Sequence, residues 1–381
     1  MAHNILKIST LALLTAASAI TAANAGGFSR GSADTDIIFE EGNFNIRAGA
    51  TVVVPTRKFT NGPSAFGPTA NNGTSYTDSY IIPSAAIKLN VTEDLRCAGT
   101  FSQPYGGSVS YANPTTSGKL NENFTINEAG LTCGYKFDLA TGRAWVLGGI
   151  YQETFDYTRL NYRTLGSRFG LNLSGTDTGF RVGAAYEIPE FALRAQLMYR
   201  AASSYGATGT FDIRTLGGVV VGGPFAATGT GSLPQSVELK VRSGVAPDWL
   251  VFGSVKWTDW SVTKQLIVNV PALGATQTND YFWKDGWTVS AGVGHKFTEE
   301  LSGAVSLTWD SGVKTGYDLS SQTVTLGAGG VLKDKFGGEL SFGGGLTYIA
   351  SATETLNAVG TNSAVGSGMA YALGASYKSK W

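Results

Sequence analysis

The residues able to do chemistry in this chain are few. Histidine occurs twice, as His3 and His295, and cysteine twice, as Cys97 and Cys133. A Ser–His hydrolase needs its histidine beside a serine in a reachable cleft. His295 shares a parity with Trp287, Val289, Ala291, Val293 and Phe297, which puts it on an apolar face beside a turn, so no catalytic residue is expected. Two cysteines and one remaining histidine give no cluster with metal-ligand spacing, and neither a metal nor a cofactor is expected. Gly327-Ala328-Gly329-Gly330 follows no strand–helix unit and reads as strand packing, not a phosphate loop. The cysteines fall on consecutive strands at similar depth, each on the apolar parity (Leu95, Cys97, Phe101; Leu131, Cys133, Tyr135). A disulfide between Cys97 and Cys133 and a pair of free thiols are both compatible with that pattern, because pairing depends on register.

The elements that carry these residues are strands. Met369, Tyr371, Leu373, Ala375 and Tyr377 share one parity, and Gly368, Ala370, Ala372, Gly374 and Ser376 the other. The same alternation recurs over 180–188, 191–200, 237–242 and 301–310, and a helix cannot hold a period of two. Short polar turns at Val91–Asp94, Leu139–Gly142, Pro189–Glu190, Pro247–Asp248, Thr298–Glu300 and Lys333–Lys335 alternate with longer Gly/Asn/Thr stretches. The longer ones are Thr60–Ser75, Asn113–Lys119, Leu165–Gly175, Gly217–Leu233, Val270–Thr278, Thr315–Ser321 and Asn357–Ser363. This rhythm predicts a transmembrane antiparallel β-barrel of about fourteen strands, with about twelve or sixteen as the neighbouring even counts. Its short turns would be periplasmic and its long loops extracellular.

Composition agrees. Only 15% of residues are charged, against about 25% in ordinary soluble domains. There are 8 Trp, 16 Tyr, 19 Phe and 51 Gly. A soluble β-sandwich would not need aromatics on the outer parity of nearly every strand. Residues 1–25, with Lys7, an apolar run and Ala23-Asn24-Ala25, read as a signal peptide. The chain is formally neutral, so nothing points to nucleic acid. The expected address is the outer membrane of a Gram-negative cell, with outer-membrane lipid around the wall. The terminal Trp381 would be the aromatic that the barrel-assembly machinery recognises, or an ordinary interfacial aromatic.

Residues 26–45 do not alternate cleanly and mix Phe28, Ile37, Ile38, Phe39 and Phe44 with Arg30 and four acids. That is too apolar for a solvated tail. We therefore expect a short N-terminal plug over 26–45 inside a barrel of 46–381, with a periplasmic tail as the alternative. In the third strand, Gln103-Pro104-Tyr105-Gly106-Gly107 should break the ladder, since proline lacks a donor and glycine invites a bulge. The alternative there is a plain distortion near the rim.

The chain resembles the FadL-type outer-membrane transporters of long-chain fatty acids and similar hydrophobic compounds. The likeness rests on Gly26-Gly27-Phe28, on FSQPYGGSVSY (101–111) and on TGFRVGAAYEIPEFALRAQLMYRAASSYGATG (178–209). It rests further on LPQSVELKVRSGVAPDWLVFGSVKWTDWS (233–261) and WKDGWTVSAGVGHKF (283–297). The resemblance implies a fourteen-stranded barrel, an N-terminal hatch, a hydrophobic small-molecule ligand and a lateral exit through the kinked third strand. The plug here is short and lacks the Asn-Pro-Ala motif of the family's hatch. Arg30, Arg47, Arg181, Arg194 and Arg200 are candidates for meeting a ligand head group. The competing readings are a general porin, and a structural or adhesive surface protein.

Overall fold

The computed structural model describes residues 27–163, 166–356 and 362–381; the expected signal peptide lies outside them. Among the described residues, fourteen antiparallel strands close into one barrel. They are β1 (Phe44–Thr56), β2 (Tyr80–Asn90), β3 (Leu95–Ser110), β4 (Lys119–Leu139), β5 (Gly142–Arg163) and β6 (Ser167–Ile188). β7 runs over Leu193–Arg200 and Ser203–Thr215, and β8 over Val220–Leu233 and Ser236–Ala246. β9 comprises Trp249–Thr258 and Gln265–Val270, and β10 Ala275–Asp280 and Gly286–Lys296. β11 (Leu301–Asp310), β12 (Thr323–Lys333), β13 (Glu339–Ile349) and β14 (Gly368–Lys380) complete the wall. Each two-part strand counts as one because both parts pair with the same neighbour, as β6 does with both parts of β7. β1 pairs with β14 on one side and β2 on the other, so the sheet has no free edge.

Side chains alternate across the wall. Ile150, Leu131, Phe180, Leu197 and Leu373 are exposed on the outside, where lipid is their solvent. Lys88, Glu128, Arg181, Arg194 and Lys378 are buried inside. His295 stays on the outer side, its Nδ1 3.1 Å from the Asp248 carbonyl oxygen. The N–H groups of Asn43 and Phe44 donate to the Trp381 carbonyl at 3.0 and 3.1 Å, so the chain ends on the seam between β1 and β14.

Three expected loops are strand instead. The described part of Leu165–Gly175, together with Gly217–Leu233 and Val270–Thr278, belongs largely to β6, β8 and the facing arms of β9 and β10, with tight turns at Leu216–Gly217 and Pro271–Leu273. Their Gly, Thr and Asn residues pair with one another in ladders beyond the membrane, where no lipid-facing apolar residue is required. β5 and β6 reach 22 residues each in this way. Phe44 also differs from expectation: it opens β1, opposite Leu89, and its ring lies 5.5 Å from that of Trp381. Counting apolar residues does not tell lumen from outer face.

Candidate functional site

The lumen is filled from the N-terminal side. Residues 28–31 run along β3. The Arg30 N–H donates to the Pro104 carbonyl at 2.8 Å, the Gly31 N–H to Gln103 at 2.9 Å, and the Gly106 N–H to Phe28 at 2.9 Å. A single 3-10 turn, Thr35–Phe39, follows, with Ile37 and Ile38 fully buried. They pack against Ala86, Ala98, Trp145, Leu147 and Ala185, inward residues of β2, β3, β5 and β6. Phe39 stands edge-on to Trp145 at 5.3 Å.

Charge ties this segment to the wall all round. Arg47 of β1 pairs with both Asp34 and Glu40. Lys378 of β14 lies 3.3 Å from Glu40 and 2.6 Å from Glu339. Lys88 donates to the carbonyls of Glu40 and Gly42 at 2.7 and 2.6 Å. Asp36 meets Lys240 of β8 at 3.4 Å and Arg194 of β7 at 3.9 Å. Burial pushes the Asp36 carboxyl up, but Lys240, Arg194 and Arg242 outweigh it and hold the group well below the ordinary carboxylate range. Asp34 goes the other way, because burial raises it more than Arg47 lowers it.

Beyond the segment lies a belt of buried ion pairs. Glu128 of β4 takes Arg181 of β6 and, at 3.0 Å, Arg200 of β7. Arg200 also pairs with Glu153 of β5, whose other oxygen accepts from Ser203 Oγ at 2.5 Å. This belt borders a lumen cavity of about 350 Å³. Further out the lumen is apolar. Phe28 meets Phe124 at 4.4 Å, Trp283 at 4.5 Å and Tyr281 at 5.3 Å, and Trp260 stands edge-on to Tyr105 at 5.4 Å. Phe155 stacks on Tyr205 across strands. Nearer the tips, Asn279 donates to Glu122 at 2.7 Å and Arg159 bonds Gln277 and Asn279, joining β4 and β5 to β10 across the inside.

The wall is broken beside Phe28–Gly31. β2 and β3 pair from Asn90↔Arg96 up to Ala85↔Phe101, then part, and the chain just ahead of β2 meets β3 again at an isolated Thr77↔Val109 bridge. Between these points β3 bonds the N-terminal segment instead of β2. Its register with β4 slips by one residue between Ser102 and Tyr105, the bulge expected around Pro104. The opposite edge of the window carries Pro83, which also lacks an N–H. Gln103, Pro104, Tyr105 and Gly106 are all buried here, because the strand bends inward. A recess of about 530 Å³ opens at this window, lined by Arg30, Tyr80, Ile81, Gln103 and Ser108 among others.

The structure thus brings Phe28, Arg30, Ile37, Ile38, Phe39 and Arg47 together in the lumen with Arg181, Arg194 and Arg200, and sets Gln103–Gly107 at the window. Phe44 is not part of this assembly. Cys97 and Cys133 are cross-strand partners joined by a disulfide. Sequence reasoning missed Glu128, Glu153, Lys240, Lys378, Pro83, Trp260 and Trp283; inward parity was the available signal for the charged ones. Among the described residues no group of three or more His, Cys, Asp or Glu is placed to hold a metal ion.

The model of the family described as outer membrane protein transport protein (OMPP1/FadL/TodX) matches residues 8–311. No curated protein matches the chain in sequence. Among solved structures, a Pseudomonas aeruginosa FadL homologue superposes with a TM-score of 0.74 at 12% identity, covering 95% of this chain and 97% of the other. The Pseudomonas putida toluene transporter TodX gives 0.66 at 13%, covering 96% and 98%. The Ralstonia pickettii toluene transporter TbuX gives 0.67 at 11%, covering 96% and 98%. At these identities the structural likeness speaks for the fold alone.

Proposed function

This chain belongs to the FadL/TodX family of outer-membrane transport proteins, and from that premise we propose that it admits long-chain fatty acids or similar hydrophobic compounds and releases them sideways into the membrane. It is a channel of the outer membrane and not an enzyme. The observation that carries the lateral reading is the window between β2 and β3, bounded by Ala85↔Phe101 and Thr77↔Val109. A ligand leaving there meets hydrocarbon without crossing water. The aromatic cluster around Phe28 offers an apolar lining on the way in, and the segment 28–41 acts as the hatch.

The lumen supports this reading over a general porin, which needs an open aqueous path; here the segment and its ion pairs occupy that path. Toluene is what two of the named structural relatives, TodX and TbuX, are described as transporting. The charged belt suits a ligand with a polar head as well. The test is uptake of radiolabelled long-chain fatty acid and of toluene by cells with and without this gene. Gene-dependent uptake of either is expected. Steady large conductance steps in planar bilayers with no gene-dependent uptake would return the chain to the porin reading.

A further inference from the structure

Arg30 stands where the lumen and the wall window meet. Its side chain is among the residues lining both the lumen cavity and the recess at the window. On one side its guanidinium lies 4.1 Å from the centroid of the Tyr80 ring of β2. On the other, Nη1 donates to Gln103 Oε1 of β3 at 2.8 Å. It thereby bridges the two strands at the level where they do not pair. Gly106 makes room for it: a Cβ there would fall 2.6 Å from Arg30 Cζ.

What distinguishes Arg30 is its company. Arg47, Arg181, Arg194, Arg200 and Lys240 each have a carboxylate within 4.0 Å. Arg30 is 4% exposed and, among the described residues, has no carboxylate within that distance. Its partners, an amide and an aromatic face, are neutral. A buried charge without a counter-ion is costly, and a charge-assisted bond to a carboxylate is roughly twice as strong as a bond between neutral groups. An anion arriving in the lumen therefore offers Arg30 a better partner than Gln103.

We propose that Arg30 is the bolt of the wall window, and that the anionic head group of an amphiphilic ligand draws it. The inference rests on the transport reading above. With the guanidinium turned into the lumen toward the head group, the bridge that Arg30 makes between Tyr80 and Gln103 is released and the two cavities become continuous. The backbone bonds of Arg30 and Gly31 to β3 need not break, so only a side chain moves. A ligand can shift this equilibrium only by binding the drawn state better, and a neutral molecule of the same shape has no such preference. The barrier thus selects by head-group charge.

The experiment compares uptake of a long-chain carboxylate with that of its neutral methyl ester, in cells carrying wild type, Arg30→Gln, Arg30→Lys or Gly106→Ala. The readout is the ratio of the two uptakes, which cancels differences in barrel abundance. Wild type should favour the carboxylate by about tenfold, the worth of one charge-assisted hydrogen bond. Arg30→Gln should bring the ratio near one, and Arg30→Lys should keep most of it. Gly106→Ala, which displaces the guanidinium from the window, should lower the ratio by raising ester uptake. A wild-type ratio near one, or a ratio unmoved by Arg30→Gln, overturns the bolt and leaves the transport reading standing. Wild type that takes up neither molecule overturns both.

Discussion

Cys97 on β3 stands directly opposite Cys133 on β4, and a disulfide joins them across the lipid-facing side of the wall. The link lies just below Phe101, where β3 parts from β2. It fastens β3 on the side away from the window. Closing a loop of this separation, 36 residues, is worth about 4 kcal/mol in the chain-entropy picture. Protein purified without reductant should therefore resist thiol alkylation until reduced. The Cys97→Ser, Cys133→Ser double variant should still form a heat-modifiable barrel but unfold at lower urea. Ready alkylation of the untreated protein would show that the thiols are free.

Closing the window tests lateral exit. Two prolines stand on its edges, Pro83 on β2 and Pro104 on β3. Deleting Pro104 removes the extra residue of the bulge, and Pro83→Val returns an N–H to the opposite edge. The combined variant should assemble normally and lose about tenfold in uptake of hydrophobic ligand, the loss taken as one decade, about 1.4 kcal/mol of barrier. Unchanged uptake with a normal barrel would move the exit elsewhere.

Glu128 serves two guanidiniums, those of Arg181 and Arg200. Glu128→Gln leaves both without that anion inside the lumen. Breaking a buried pair in this way costs about 3–5 kcal/mol, and the urea midpoint should drop accordingly. Replacing the outward neighbour Leu131 by Val is the control, expected to move the midpoint little. Equal shifts from the two would mean that the belt is not buried as described.

The hatch should respond to acid in a set order. Asp34 is held above its ordinary value of 3.8; its charged form costs stability, and it takes up a proton first as pH falls. Asp36 is held below 3.8; its pairs contribute stability above its ordinary range, lost only as pH falls through a much lower value. Wild type should therefore stay closed to ions down to ~pH 4, anchored by Asp36. Asp36→Asn lacks that anchor at every pH and should conduct already at neutral pH, with no further rise in mild acid, where Asp34 takes up a proton that the closed form favours. Conductance records between neutral and acid pH decide it, and identical curves for the two proteins would refute the order.

The wall was legible in the sequence because lipid demands apolar residues at every second position, as at Met369, Tyr371 and Leu373. The same rule hid the upper halves of β6 and β8. Outside the lipid the outward face need not be apolar, so Leu171-Asn172-Leu173-Ser174-Gly175, whose leucines are buried in the lumen, looked like loop. The kink at Pro104 was legible from one residue's missing donor. The window was not, because it needs Pro83 of the neighbouring strand at the same level, and adjacency depends on register. The ion-pair belt was half visible: inward parity picked out Arg181, Arg194 and Arg200. The partners of Arg181 and Arg200, Glu128 and Glu153, come from other strands, and the register across β4 to β7 decides whether they come within reach.

The 22 residues of β5 and β6 have one more consequence. At about 3.3 Å per residue such a strand is roughly 70 Å long, and tilted by about 40° it still rises roughly 55 Å along the barrel axis, against an apolar band of about 25 Å. The surplus stands outside the bilayer, as a chimney whose bore is lined by Phe124, Phe155, Leu171 and Phe211. On the transport reading, an apolar solute entering at the rim leaves water well before it reaches the level of the membrane, so the height of the chimney sets how far from the bilayer the protein can capture its ligand.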